Sequence, residues 1–208
     1  MIKFTVVTCT FNAEKELQRT LDSVQRQTYC NIEHIIMDGG SRDRTLQLVK
    51  AYQHRNAVGE SSHEIVVVSE PDKGLYDAMN KGLKMATGDY VLFLNAGDTL
   101  PNADTLECVG GAVGGGEAMP GVLYGDTDIV DAEGNFICHR RLAAPKKLTW
   151  RSFMHGMLVC HQAFYARIDL AKQTPYNLDY RFSADVDWCI RIMREAKRRG
   201  LPMRNVGF

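Results

Sequence analysis

An α/β fold, with one mostly parallel sheet flanked by helices, is predicted by three observations. Runs rich in Val and Ile recur through the first hundred residues, helical apolar spacing fills the gaps between them, and each run ends in a polar turn. Phe4 to Cys9 is the first run and reads as a buried strand. Leu17, Leu21 and Val24 follow at helical spacing, with Asn12 placed to cap them. Ile32 to Asp38 is a second strand, and Leu48, Val49 and Tyr52 form the next helical stripe, entered through Ser41 and Asp43. Glu64 to Glu70 is a third strand; Leu75, Ala78, Met79, Gly82, Met85 and Ala86 then line one face of a helix. Tyr90 to Ala96 is a fourth strand. Parallel strands deliver their following loops to one edge, so a ligand crevice is expected at Thr8 to Asn12, Asp38 to Asp43, Glu70 to Gly74, and Asn95 to Asp98.

Beyond Asp98 the pattern is less regular. Two strand-like runs meet at a turn, Asp131 to Asn135, where Gly134 can supply a positive φ, and this reads as a hairpin. "GGAVGGG" (110 to 116) lacks the Gly-Lys-Ser/Thr ending of a phosphate loop and reads as a connector. A last helix is expected from about Val186 to Arg199, with a basic end that suits the dipole and Gly200 as its stop. "LPMRNVGF" looks like the start of another strand, so the expectation is either a minimal domain or one truncated at its C-terminus.

The chain's 208 residues suit one domain with a core that needs no staples. Twenty-five basic residues balance 25 acidic ones, which removes any general argument for nucleic-acid binding. Six scattered cysteines without a C-x-x-C pair suggest a reducing, cytoplasmic setting, and the adjacent pairs Cys138–His139 and Cys160–His161 lack zinc-ligand spacing. The N-terminal apolar run is too short for a signal peptide and no stretch is long enough to span a bilayer, so a soluble or peripheral protein is expected.

Three acidic turns carry the chemistry. In "IIMDGGSRDRT" a strand delivers Asp38 to a glycine pair; a carboxylate there can accept an N–H from a planar base, or can simply serve a turn and helix entry. In "EPDKGLYDAMNKG" Asp72 lies at the expected ligand edge and Asn80 one turn or so into the helix; the alternative is a solvated turn and helix surface. In "NAGD" a buried strand ends in Asp98, suited to hold a hard cation on a nucleotide diphosphate or, more plainly, to cap a helix near Pro101 and Asn102.

Together, "TVVTCTFN", "DGGSRDRT", "EPDKGLYDAMNKGLKMATGDYVLFLNAGD" and "FSADVDW" resemble the family 2 glycosyltransferases of GT-A fold, over nearly the whole chain and in the family's order. The variant is similar to bacterial enzymes that build surface polysaccharides such as O-antigen. The resemblance implies a single Rossmann-like, mostly parallel sheet with a less regular acceptor side: one domain over 1–208, with a nucleotide-sugar half (1–100) and an acceptor half (101–208). It implies an inverting transferase. Thr8, Phe11 and Asn12 would surround the nucleoside, Asp38 would meet the uracil edge, and Asp72 would contribute to the pocket, with Asn80 and Asn95 also on the donor side. Asp98 would bind Mn²⁺ or Mg²⁺. Asn95 occupies the first acidic place of the metal motif, where many relatives carry a carboxylate, which thins the expected ligand set.

Inversion needs a carboxylate to take the acceptor's proton. Asp185 in "RFSADVDW" matches the family's base position, and a helix N-terminus would favour its ionised form; the alternative is a simple N-cap, with Asp187 as first-turn decoration or a second acceptor-side carboxylate. His161 and Gln162 resemble the segment lining the acceptor and donor-sugar region, and His155 is either acceptor-facing or packed. The expected partners are a UDP-sugar donor and a saccharide acceptor on a polyprenyl lipid carrier, with no nucleic acid. "HRRLAAPKKLTWRSF" either touches the inner face of the plasma membrane peripherally or is ordinary solvated surface. A sugar nucleotidyltransferase should carry a glycine-rich basic loop near its first strand, and a dinucleotide oxidoreductase a G-x-G-x-x-G; neither is present. A non-catalytic nucleotide-sugar-binding protein is the reading from another class.

Overall fold

A computed structural model describes residues 1–59, 63–114 and 119–207. The first half alternates strand and helix as expected: β1 (Phe4–Thr10), α1 (Leu17–Gln25), β2 (Ile32–Asp38), α2 (Thr45–Val58), β3 (Glu64–Ser69), α3 (Leu75–Met85) and β4 (Tyr90–Phe93). The second half holds α4 (Thr105–Ala112), β5 (Val122–Tyr124), β6 (Asp128–Val130), β7 (Phe136–His139), β8 (Phe164–Arg167), α5 (Ile168–Gln173), α6 (Ala184–Arg198) and β9 (Met203–Asn205). The main sheet has the order β3-β2-β1-β4-β8-β5-β9. Strands β1 to β4 pair in parallel, β8 runs antiparallel between β4 and β5, and β9 rejoins β5 in parallel.

Both faces of the sheet are covered, which explains why its strands read as continuous apolar runs. Val7 and Cys9 of β1 face the layer of α3, α5 and α6, while Phe4 and Val6 face the opposite one. Leu17 and Leu21 of α1 pack with Tyr52 of α2 against Ile36. Helix α3 approaches β1 so closely that a Cβ on Gly82 would lie 2.5 Å from Val7 Cγ1. Beneath the site, Trp188 of α6 stacks on Tyr176 at 4.9 Å and 13°, with Phe93 and Phe164 edge-on to the indole.

Several local expectations change. Asn12 does not cap α1, which begins at Leu17; at φ 48° its side-chain oxygen instead accepts Arg42 N–H. The second helix starts later than Ser41, and the Asp43 carboxylate takes Thr45 N–H there. Leu75 and Met85 stand at the ends of α3 and are exposed. Residues 110–112 of the expected connector are helical, closing α4, while 115 and 116 lie outside the described residues. The β6–β7 hairpin forms with Gly134 at φ 89°, as a separate two-stranded sheet, and the first expected run divides so that β5 joins the main sheet. Helix α6 begins at Ala184, which puts Asp185 in its first turn rather than at its cap. The tail forms β9, the further strand its pattern suggested. No helix among the described residues is long and apolar enough to cross a membrane.

Candidate active site

The parallel strands end at one edge, and β8 starts there because it runs the other way. The short 3₁₀ turn His161–Ala163, immediately before β8, therefore arrives beside the loops that follow β1 and β4. Helix α6 adds its N-terminus, so residues far apart in sequence converge.

On the nucleotide side, Cys9, Thr10, Phe11, Asp72, Gly74, Leu75 and Ala78 line a cleft of about 190 Å³. Phe11 is 62% exposed, an aromatic face available for stacking. Asp72 Oδ1 accepts Gly74 N–H at 2.8 Å, and its Oδ2 fills the space over Gly39, where a Cβ would sit 2.6 Å away. Thr10 Oγ1 is buried without a hydrogen-bond partner among the described residues. Asp38 is 2% exposed, and its carboxylate accepts from Gly40 N, Ser41 N, Ser41 Oγ and Ser69 Oγ; it shapes the glycine loop before it meets any ligand. Asn12 holds the same loop, donating its N–H to Ser41 Oγ.

Two side chains expected on the donor side are engaged in buried hydrogen bonds. Thr8 is wholly buried, its hydroxyl donating to Leu94 O at 2.8 Å and lying 2.9 Å from His34 Nε2, so it braces strands behind the cleft. Asn80 pairs reciprocally with the Tyr176 backbone, donating to its carbonyl at 2.9 Å and accepting its N–H at 2.8 Å. It is a structural pin.

The acidic turn after β4 lies next to the 3₁₀ turn. Gly97 adopts φ 102°, and Gln162 Nε2 donates to Asp98 Oδ2 at 3.2 Å. Asp98 caps no helix, since α4 starts at Thr105. Burial raises its pKa above the usual carboxylate range, opposed by the Gln162 hydrogen bond and by His161 and Arg19 nearby. Glu33, buried at the far edge, receives Thr5 and Thr87 hydroxyls, Thr87 N–H and a lysine, and these outweigh burial to hold it low. The contrast is one of donors: the Glu33 carboxylate receives three hydrogen bonds and a lysine, the Asp98 carboxylate one side-chain amide.

His161 joins this turn to α6. Its Nε2 lies 3.3 Å from Asn95 Nδ2 and its Nδ1 3.2 Å from Asp185 Oδ2. Burial works against ionising Asp185, but the His161 hydrogen bond and charge, with backbone N–H groups at the helix start, win and hold its carboxyl low. Tyr76 of α3 donates its hydroxyl toward Asp185 Oδ1 at 3.4 Å. Asp187 accepts from Arg191 Nε at 2.7 Å, one helical turn along. That i, i+4 spacing was visible in the sequence. Tyr76 and Arg19 were missed, since no periodicity marks either as site-facing.

A divalent cation was expected at Asp98. Among the described residues no three His, Cys, Asp or Glu side chains cluster to hold a metal by themselves. Yet Asn95 Oδ1 is a buried oxygen without a hydrogen-bond partner there, three residues from a carboxylate disfavoured by burial. These hard oxygens fit Mg²⁺ or Mn²⁺, cations that take most of their shell from phosphate and water.

The match to known proteins covers the same ground. A "PGL/p-HBAD biosynthesis glycosyltransferase" of Mycobacterium bovis is 36% identical over 189 residues, 90% of this chain and 68% of that protein. The structure of S. aureus TarS 1-349 in complex with UDP superposes with a TM-score of 0.73 at 21% identity, covering 92% of this chain and 55% of that one. This chain thus spans little more than half of that solved structure. Glucosyl-3-phosphoglycerate synthase from Mycobacterium tuberculosis, solved with Mn²⁺, UDP and its product, gives 0.61 at 17% identity over 99% of this chain and 70% of that one. Both are GT-A glycosyltransferases, and the sheet described above has that fold. The model of the family described as "Glycosyl transferase family 2" matches residues 5–167, from β1 through β8, so the acidic turns and the His161–Gln162 turn all fall inside it: the chain belongs to glycosyl transferase family 2.

Proposed function

We propose that the protein is an inverting hexosyltransferase that moves a sugar from a UDP-sugar to a saccharide acceptor carried on a polyprenyl lipid, in surface polysaccharide or glycolipid synthesis. The observation that carries this reading is the junction at which His161 and Gln162 tie Asp98 of the donor-side turn to Asp185 at the start of α6. One carboxylate suits a diphosphate's counter-ion and the other a proton acceptor, and one short turn holds both. UDP bound to TarS and to the phosphoglycerate synthase supports the choice of nucleotide.

Residues 1–100 provide the nucleotide half of a single domain, and 101–208 the acceptor half. Phe11 stacks the base, Asp72 contacts the nucleoside, and the Asp38-braced loop gives the backbone close approach. Asp98 and Asn95 would hold Mn²⁺ or Mg²⁺, which when bound would neutralise the leaving diphosphate. The acceptor hydroxyl attacks the anomeric carbon as the bond to the diphosphate breaks, and Asp185 takes the hydroxyl's proton. Ionised at neutral pH, Asp185 needs no prior deprotonation.

Lipid-linked acceptors require an approach to a cytoplasmic membrane face. Trp150 supports this, with the Arg151 and Arg194 guanidiniums 5.2 and 5.4 Å from its ring centre and Met154 exposed alongside Lys146 and Lys147.

The test is nucleotide release from UDP-, GDP- and dTDP-sugars with and without Mn²⁺, for the wild type, Asp98→Ala and Asp185→Ala. Metal-stimulated release from a UDP-sugar, lost in both variants, is expected. Binding of UDP-sugars with no turnover under any condition would instead favour a non-catalytic nucleotide-sugar-binding protein.

A further inference from the structure

Tyr76 has no part in the roles above, yet it touches the proposed base. It lies in the first turn of α3, next to Leu75 and Gly74, which line the nucleotide cleft. Its hydroxyl reaches Asp185 Oδ1 at 3.4 Å while His161 Nδ1 lies 3.2 Å from Oδ2, so each carboxylate oxygen is met from a different element.

The ring's own position is fixed by packing. Tyr76 stacks on Tyr176 at 5.5 Å and 19°, and Tyr176 stacks on Trp188, which is wholly buried and lies one turn after Asp185 on α6. Asn80, also on α3, clasps the Tyr176 backbone in both directions. The connections close a cycle: α3 presents Tyr76 and holds Tyr176, Tyr176 packs on α6 through Trp188, and α6 presents Asp185 back to Tyr76. A side chain in such a cycle has little freedom to wander, which is the condition for holding a reacting group within a fraction of an ångström.

We propose that Tyr76 is a positioning residue that, with His161, clamps the Asp185 carboxylate and aims its Oδ1 at the acceptor hydroxyl. The inference rests on Asp185 being the base. Each oxygen accepts one contact and keeps a lone pair, so the Tyr76 hydroxyl can orient Oδ1 while leaving it able to take the proton. Because Tyr76 adjoins the cleft-lining residues of α3, the same helix turn sets both the donor floor and the base's aim.

Tyr76→Phe removes the hydroxyl and keeps the ring stack. Besides Tyr76 and His161, the titratable groups facing Asp185 are Cys160, Cys189 and Tyr176; burial pushes each upward, so they keep their protons while the carboxylate titrates. The experiment follows the Asp185 carboxyl carbon by ¹³C NMR across the acid range, assigned by its loss in Asp185→Asn. It also measures UDP release from UDP-glucose, UDP-galactose and UDP-N-acetylglucosamine with water as acceptor.

In Tyr76→Phe the Asp185 midpoint should move upward, because a donor to its charged form is gone. The maximal rate should fall about tenfold with the half-saturating donor concentration within about twofold, as for a group acting on the transition state alone. An unmoved midpoint would overturn the proposal whatever the rate did. A moved midpoint with an unchanged rate, and an equally unchanged rate in Asp185→Asn, would overturn it by removing the base itself, a failure of the parent reading distinct from the first.

Discussion

Nδ1 of His161 sits 3.2 Å from Oδ2 of Asp185, and the proton between them belongs to the nitrogen, since an ionised carboxylate only accepts. The other ring nitrogen, Nε2, lies 3.3 Å from Asn95 Nδ2. The two contacts link the turn after β4 to the start of α6, and the one to Asp185 favours its charged form.

A pH dependence follows. The folded-state pKa of Asp185 is depressed, against burial, by His161 and by the helix-start N–H groups. A depressed carboxylate contributes stability above its unfolded value, about 3.9, and loses it as pH falls through the lower folded value. His161→Ala should therefore move the acid limb of the rate–pH profile to higher pH and cost more stability at pH 7 than at pH 3. Rate profiles and urea unfolding at the two pH values check this. An unmoved limb would mean that His161 does not support the charge.

Asp98 should show the opposite balance. Burial disfavours its charge and outweighs the support of the Gln162 amide, His161 and Arg19, so Asp98→Asn relieves a cost in the folded state while keeping the side chain's shape. The variant should be more stable than the wild type at pH 7 by about 1 kcal/mol, and lose about a hundredfold or more in metal-stimulated UDP release. The stability gain should shrink as pH falls and wild-type Asp98 protonates. Thermal unfolding at pH 7 and pH 4, beside the release assay, separates this from a merely damaged fold, which would lose on both counts.

The sheet was legible because its strands are buried on both faces: Ile32 to Asp38 is an unbroken buried run, and the observed β2 has those bounds. That same double burial hides from the sequence which residue of β1 faces the cleft: Thr8 is buried and bonded to Leu94 O, while Thr10, two residues on, lines the cleft. Partners distant in sequence were invisible. Asn80 finds Tyr176 across 96 positions, and nothing local says so. The 3₁₀ turn at His161 matters only because β8 runs antiparallel and starts at the loop edge, a topological fact that no spacing reveals. Asp98 and Asp185 stand out in the sequence for the reverse reason, as charged residues in the turn that follows an apolar strand and in the first turn of a helix.

Gly39→Ala tests the cleft without touching its charges. A Cβ there would lie 2.6 Å from Asp72 Oδ2 and 3.3 Å from Phe11 Cδ2, and both are side-chain atoms able to shift. The fold should lose less than about 1 kcal/mol, while UDP affinity falls about tenfold as Asp72 and Phe11 give way. Calorimetric titration with UDP and thermal unfolding measure the two effects. Unchanged affinity would place the nucleoside elsewhere.

Asn80 distinguishes a structural pin from a donor contact. Its amide satisfies both Tyr176 N–H and C=O in a buried site, and truncation leaves two backbone groups without partners and a small cavity. Each stranded group costs about 1–3 kcal/mol, so Asn80→Ala should destabilise the protein by about 2–4 kcal/mol. Because the side chain is buried against the Tyr176 backbone and does not line the cleft, UDP should bind the folded variant within about threefold of the wild type. Loosening Tyr176 also loosens the ring beneath Tyr76, so turnover should fall more than affinity does. Urea unfolding, UDP titration and release kinetics on one preparation test all three. A large loss of UDP affinity with little loss of stability would return Asn80 to the nucleotide pocket.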